Sequence, residues 1–298
     1  MLYVIPQLPI VNRYTEDWSD MWFRELSKLK VDFRIIDLGR MPQPINNEIS
    51  YNYFTNTQES VLFEFDQIRN LFRKLKEDDK VLFLDPDFPG FGTPAIHIIK
   101  LMFPKVKCYC YLHAGSYCEG DVWKTIKGKK QFERSMFYTF DKVFVATKYH
   151  KRKIEKYFQE KYDNIYVVGF PFYEDDVLKM TQPAIFSNKE GVFIAGRPEQ
   201  SDINLLHKIV KHFPEVNFYA VHPLPFSEKN IKNVIVYLRS VYFNTLNNCK
   251  IALSTKVEET FGVIPLEAAA LGTILYALIS LDTWKPFLNY LDIRKEMF

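Results

Sequence analysis

Two carboxylates, Glu259 and Glu267, stand with seven residues between them in the segment from Leu253 to Ala277. The segment reads as strand, polar loop, helix, tight turn and strand, with Phe261-Gly262 closing the loop and Gly272 ending the helix. Gly262 lets backbone amides approach a bound group closely. The start of the helix offers unpaired N–H groups and a positive dipole end to a phosphate. An ionised carboxylate accepts two hydroxyl donors, so each Glu is suited to a polyhydroxylated group beside that phosphate. Lys256 and Thr260 sit in the same loop. The plainer reading is a structural helix that carries two glutamates.

Other candidates also follow strand-like runs. Arg197 comes after Val192-Phe-Ile-Ala-Gly, and its planar, permanently charged guanidinium matches a diphosphate. His113 follows the run Lys107–Leu112; the plainer reading there is a satisfied structural histidine. Asp85 and Asp87 follow Val81–Leu84, an Asp-x-Asp that could hold Mn²⁺ or Mg²⁺, or a Pro-rich turn with Thr93 capping the next helix. Asn12, Arg13 and Tyr14 end the glycine-free loop after the first strand.

The elements that must position these residues alternate. Strands are expected at Leu2–Ile5, Phe33–Asp37, Val81–Leu84, Lys107–Leu112, Lys142–Ala146 and Tyr166–Val168, with helices at Asp17–Lys30, Thr57–Lys76, Thr93–Phe103, Lys130–Thr139 and Lys148–Phe158. A second series follows: strands Val192–Ala195, Asn217–Ala220, Val234–Tyr237, Ile251–Ser254 and Ile274–Ala277, and helices Asp202–His212, Val241–Asn248, Ile264–Leu271 and Leu281–Lys295. The rhythm predicts an α/β protein of two doubly wound, Rossmann-like domains facing a cleft. The expected divisions are an N-terminal domain over 1–170, a linker over 171–189, a C-terminal domain over 190–280 and a terminal helix over 281–298 packing back on the first domain.

The segment around the paired glutamates resembles the "Glu, seven residues, Glu" signature of retaining GT-B glycosyltransferases. Its company carries the resemblance: Phe261-Gly262 after the first Glu, Glu267-Ala268-Ala269, and Leu271-Gly272-Thr273 before a strand. Val192-Phe-Ile-Ala-Gly-Arg-Pro is similar to the turn that opens the donor domain of that group, and Leu112-His-Ala-Gly-Ser-Tyr to the loop that bears a histidine near the reacting sugar. The resemblance implies a nucleotide-sugar donor, most simply a UDP-sugar. Arg197, Lys256, Thr260, Phe261, Gly262 and Glu267 would bind it, and Glu259 and His113 would act at the sugar. It also implies retention of configuration, no protein nucleophile, and neither cofactor nor metal. Two departures stand out: Asp202 occupies the position where the group usually has a lysine, and the first loop lacks glycine.

Charge bears on the acceptor. Residues 100–161 hold 15 Lys/Arg against 6 Asp/Glu, a net of +9 within a chain of net +3, so the rest is net −6. Lys124, Lys127, Lys129, Lys130 and Arg134 lead this stretch, and such a patch attracts phosphates on DNA, a membrane or a nucleotide. A solvated helix face is the plainer reading. DNA with 5-hydroxymethylated bases, as modified by bacteriophage enzymes, is the favoured acceptor; a bacterial surface glycan or lipid carrier is the rival. A non-catalytic nucleotide- or nucleic-acid-binding protein is the alternative of another class. Asn12, Arg13, Tyr14, Asp85 and Asp87 are the expected acceptor-side residues.

The most apolar window, Val263–Leu281, contains Pro265 and Glu267 and is expected as buried helix and strand, without a transmembrane segment. No signal peptide is expected, the location is read as cytoplasmic (host cytoplasm if phage-encoded), and Cys108, Cys110, Cys118 and Cys249 are expected as reduced, partly buried thiols.

Overall fold

The computed structural model describes residues 1–7, 14–36, 57–86, 92–119, 124, 127–236, 238–256 and 262–277. The chain divides into two compact units, Met1–Pro171 and Phe172–Phe298.

In the first unit the elements run β1 (Leu2–Ile5), α1 (Tyr14–Lys28), β2 (Phe33–Ile35), α2 (Thr57–Phe72), β3 (Lys80–Leu84), α3 (Gly92–Met102), β4 (Lys107–Leu112), α4 (Lys129–Thr139), β5 (Lys142–Val145), α5 (Lys148–Phe158) and β6 (Ile165–Val167). The six strands form one parallel sheet in the order β2-β1-β3-β4-β5-β6. The inner strands β1, β3 and β4 are covered on both faces and are apolar beyond the lysines that open β3 and β4, whereas the edge strands β2 and β6 are largely exposed. Val81, Phe83, Cys108, Cys110, Val143 and Val145 face one core with Ile96, Ile99, Met136 and Ile154 from α3, α4 and α5. The alternate residues Leu82, Leu84 and Tyr111 are also buried, as is Trp18 of α1. Cys108 and Cys110 thus share a face, and burial pushes the Cys108 thiol up to about 12.

The second unit runs α6 (Glu174–Lys179), β7 (Val192–Ala195), α7 (Ile203–His212), β8 (Phe218–Ala220), β9 (Ile231–Asn233), α8 (Arg239–Asn248), β10 (Ile251–Ser254), α9 (Val263–Ala270) and β11 (Ile274–Ala277). Its parallel sheet has the order β11-β10-β7-β8-β9. Along β7 the residues alternate between two cores. Phe193 and Ala195 pack with Leu246 and Ala268, whereas Val192 and Ile194 pack with Leu206 and Val210.

Two expectations change. The stretch read as a plain connector carries α6, whose first turn holds Glu174, Asp175 and Asp176 and whose last turn holds Lys179, charges that suit the two ends of a helix dipole. Its Val177 joins the core of the second unit. The strand expected at Val234–Tyr237 lies earlier, at Ile231–Asn233. The Val234 N–H still reaches the Ala220 carbonyl at 2.8 Å, but Val234 and Val236 then leave the ladder to pack on the core. Upstream, the Asn230 carboxamide donates to the carbonyls of Val210 and Phe213 and so sets where β9 begins. The expected helix at 281–295 lies outside the described residues.

One buried cation ties the ends of α8 and α9 together. Lys189 is 3% exposed, and its Nζ donates to the Leu271 carbonyl at 2.5 Å, Asn247 Oδ1 at 3.2 Å and Thr273 Oγ1 at 3.3 Å. The last carbonyls of a helix are its negative end, where a cation is favourable. Burial nonetheless pulls the Lys189 pKa below its ordinary value. Replacing Lys189 by Met would leave three buried acceptors short of a donor, so urea unfolding of Lys189→Met should show a loss of about 2–4 kcal/mol.

Candidate functional site

In a doubly wound sheet every strand ends at the same edge, and the connections part to either side where the strand order reverses. In the first unit that reversal falls between β1 and β3, and in the second between β7 and β10. The sequence candidates can be placed against these two points, each within its own unit.

In the first unit Asp85 sits directly after β3 and Gln7 two residues after β1. Asp85 is buried at 8% exposure with a left-handed φ of 63°, a conformation that Asp tolerates better than most residues. Its carboxylate accepts from Gln7 Nε2 at 2.9 Å and faces the His113 N–H at 3.5 Å. One acid therefore joins the loops that follow three adjacent strands. Gln67 of α2 donates to the Pro6 carbonyl at 2.8 Å, and with Gln7, Glu64, Asp85 and Pro86 it lines a small recess. Among the described residues, none is a hydrogen-bond partner for the buried Gln7 Oε1. Such a recess offers carboxylate and carboxamide groups, which suit hydroxyl donors better than phosphate.

His113 is seated among aromatic rings. Its ring centroid is 5.7 Å from Trp18 and 6.3 Å from Phe170, and Trp18 and Phe170 stack at 6.1 Å. Tyr111 meets Trp18 edge-on at 5.7 Å, and its hydroxyl donates to the Gly169 carbonyl at 2.9 Å. The loop after His113 is pinned by Glu133 of α4, which is fully buried. Glu133 accepts from the Ser116 N–H at 2.8 Å and from its hydroxyl. A side chain at Gly115 would meet Tyr117 at 2.6 Å, which explains the glycine. Beyond it the Tyr117 hydroxyl bonds His150 Nε2 at 2.7 Å.

In the second unit Gly196 and Arg197 follow β7, and Thr255 and Lys256 follow β10. Gly196 has φ +100°, and a Cβ there would meet the Lys256 side chain at 2.8 Å, so the lysine stem lies against the glycine next to Arg197. The two loops are tied by the Asp202 N–H on the Thr255 carbonyl at 2.8 Å and by a bridge between Ser201 and Lys256. Asp202, the departure noted above, caps α7 by accepting from the Leu205 N–H at 2.9 Å. The helix α9 begins after Gly262. Its Glu267 is 3% exposed and accepts from the Tyr242 hydroxyl at 2.9 Å, with Arg239 Nη2 3.5 Å from its other oxygen.

Asn12, Arg13, Asp87, Glu259, Thr260 and Phe261 lie outside the described residues, and of Tyr14 only its place at the start of α1 is described. Of the basic candidates, Lys129 is 6% exposed with its ammonium over Phe132. Lys124 pairs with Glu119, and Arg134 with Glu160 at 2.9 Å. Lys127 and Lys130 are exposed, Lys130 lying 4.3 Å over the Tyr157 ring. Gln7, Glu64, Gln67, Tyr242 and Arg239 were not singled out in the sequence. The only trace was the i,i+3 pairing of Glu64 with Gln67 and of Arg239 with Tyr242, each on one helix face.

Among solved structures the chain is similar to sucrose-phosphate synthase from Thermosynechococcus elongatus, with a TM-score of 0.65 and 11% identity over 93% of this chain and 80% of that one. It is also similar to the trehalose-6-phosphate synthase OtsA, at 0.61 and 10% over 95% and 86%. An E. coli trehalose-6-phosphate structure bound with UDP-2-fluoro glucose matches at 0.60 and 10% over 95% and 84%. No protein-family model matches the chain, and no curated protein sequence does. The fold is therefore defined as α/β of the GT-B class. No helix among the described residues is long and apolar enough to cross a membrane.

His150 makes the first unit acid-sensitive. It is fully buried, and burial, then the nearby charges of His113 and Lys153, lower its pKa from 6.5 to about 3. Between those values the unfolded chain binds a proton that the native state refuses, so stability falls as pH drops through that window. The slope for this group approaches ~1.4 kcal/mol per pH unit. Urea unfolding between pH 6.5 and 4.5 should show a flatter acid limb, by about one proton, for His150→Gln than for the parent protein.

Proposed function

We propose that the protein is a glycosyltransferase that takes a sugar from a nucleotide-sugar donor, most simply a UDP-sugar, and transfers it with retention of anomeric configuration. The observation that carries this reading is the reversal point of the second sheet. There Lys256 lies against Gly196 beside Arg197, and the same βαβ unit places Glu267, buried, on α9. Two cations on neighbouring strand-end loops, with a helix that follows one of those strands, suit a diphosphate, and the demanding step is departure of that diphosphate. Arg197, Lys256 and the amides at Gly262 would stabilise the charge that grows on it, and Glu267 would hold the ribose. Glu259 and His113 would orient the sugar, with no protein nucleophile and no metal. The hydroxyl-seeking recess of Gln7, Glu64, Gln67 and Asp85 supports binding of a sugar-like acceptor on the first unit.

A second reading of the acceptor takes it to be DNA carrying 5-hydroxymethylated bases. Its support is the +9 charge of residues 100–161, which would meet backbone phosphates while the base is turned out of the duplex. The burial of Lys129 and the ion pairs of Lys124 and Arg134 reduce that support. A surface glycan or lipid carrier fits the recess at least as well.

Purified protein given UDP-, GDP- and ADP-sugars should release the nucleoside diphosphate from one of them, and should do so in the presence of chelator. Arg197→Ala should lower kcat/KM for that donor about 100-fold. Glu267→Gln, which keeps the shape of the side chain, should raise the donor KM about tenfold with an unchanged melting temperature. No release from any donor would leave a non-catalytic nucleotide-binding protein as the better description. Supplied with both acceptors, the enzyme should label hydroxymethylated DNA on the second reading and only glycan or lipid carrier on the first.

A further inference from the structure

Glu267 is held on both sides by a single helix face. Tyr242 and Arg239 stand three residues apart on α8, so they project together toward α9. The Tyr242 hydroxyl donates to Glu267 Oε2 at 2.9 Å, and Arg239 Nη2 lies 3.5 Å from Oε1. Neither donor is loosely placed. The Tyr242 ring meets Phe193 of β7 at 5.4 Å and 88°, and Phe243 at 5.3 Å and 73°. The Arg239 guanidinium lies 4.8 Å over the Phe243 ring. Burial of the phenol, and then the adjoining carboxylate, push the Tyr242 pKa well above its usual range, so it stays a donor at every physiological pH.

A structural pin between two helices would not need this arrangement. The ends of α8 and α9 are already joined through Lys189, and Leu266 and Ala268 bury the apolar side of α9. A buried carboxylate costs solvation that an apolar residue of similar size would not. What a carboxylate gains from two donors of fixed direction is an orientation. An ionised carboxylate accepts up to about four hydrogen bonds, so one oriented by donors from α8 can also accept from ligand hydroxyls.

We propose that Arg239 and Tyr242 are positioning residues that set the Glu267 carboxylate to receive the 2′- and 3′-hydroxyls of a nucleoside diphosphate, and so make this site selective for ribose over 2′-deoxyribose. The inference rests on the donor-binding reading given above. It adds that selectivity for the sugar of the nucleotide originates on α8, whose side chains need not touch the ligand. Phe193 links that helix to β7, the strand that leads into Gly196 and Arg197, so one packed unit sets both the ribose and the diphosphate contacts.

The test is calorimetric titration of the full-length protein with UDP, GDP and ADP, followed by the 2′-deoxy counterpart of whichever binds. Wild type should prefer the ribonucleotide about tenfold, the worth of one or two hydrogen bonds. Tyr242→Phe and Arg239→Gln should each reduce that ratio to about threefold or less while melting within a few degrees of wild type. The ratio compares two ligands on the same preparation, so partial unfolding changes both affinities alike and leaves the ratio intact. If Tyr242→Phe does not fold, Arg239→Gln decides alone. Wild-type discrimination retained in full by both variants would overturn the positioning role. A wild type that binds the two sugars equally would overturn it as well. A wild type that binds none of the three nucleotides would overturn the donor reading itself.

Discussion

A parallel sheet delivers the carboxyl ends of all its strands to one edge, and the crossover helices leave that edge uncovered only where the strand order reverses. Most of what this protein can do chemically follows from that constraint, because it applies twice. At β1 and β3 it brings Gln7 and Asp85 together across 78 residues of chain. At β7 and β10 it brings Gly196, the residue before Arg197, against Lys256. Loops between helices would not hold such pairs in register, whereas strand ends fixed by ladder hydrogen bonds and buried on both faces do.

The side chains at the two points differ in kind. The first unit presents Gln7, Glu64, Gln67 and Asp85, groups that accept from hydroxyls, and sets His113 against Trp18 and Phe170. The second carries Arg197 and Lys256 on its strand-end loops and the start of α9, groups of the kind that suit a diphosphate. The first point suits a neutral, hydroxylated group and the second suits an anion. Polar residues that hold loops and helix ends in place support each point, two of them buried and one, Asp202, exposed. Glu133 holds the loop after His113, Asp202 caps α7, and Lys189 closes the ends of α8 and α9.

The basic stretch shows why a charge count alone is a weak guide to a partner. Five cations were grouped by their nearness in sequence. In the folded chain one is buried over a phenyl ring, two pair with glutamates and two face solvent. Glu119 and Glu160 offset two of the five charges and rings take up two more, which weakens the patch as a phosphate-binding surface.

Much of the architecture was legible before any coordinate. The runs Leu2–Ile5, Lys107–Leu112, Val192–Ala195, Ile251–Ser254 and Ile274–Ala277 are strands with the expected bounds, because continuous β-branched and aromatic runs between turn residues have few other stable homes. The strand at 231–233 was misplaced, because the alternation of Val234 and Val236 serves packing and the ladder position was set by Asn230, a side-chain contact with no local signature. By itself, then, the sequence determined the alternation of elements, the glycines at tight turns and the residue types at strand ends, since those depend on local sterics and periodicity. Only the tertiary structure decided that Gln7 meets Asp85, that Tyr242 and Arg239 grip Glu267, and that Lys129 turns inward. Those contacts join residues far apart in the chain or depend on which face of a helix is covered, and no local rule encodes either.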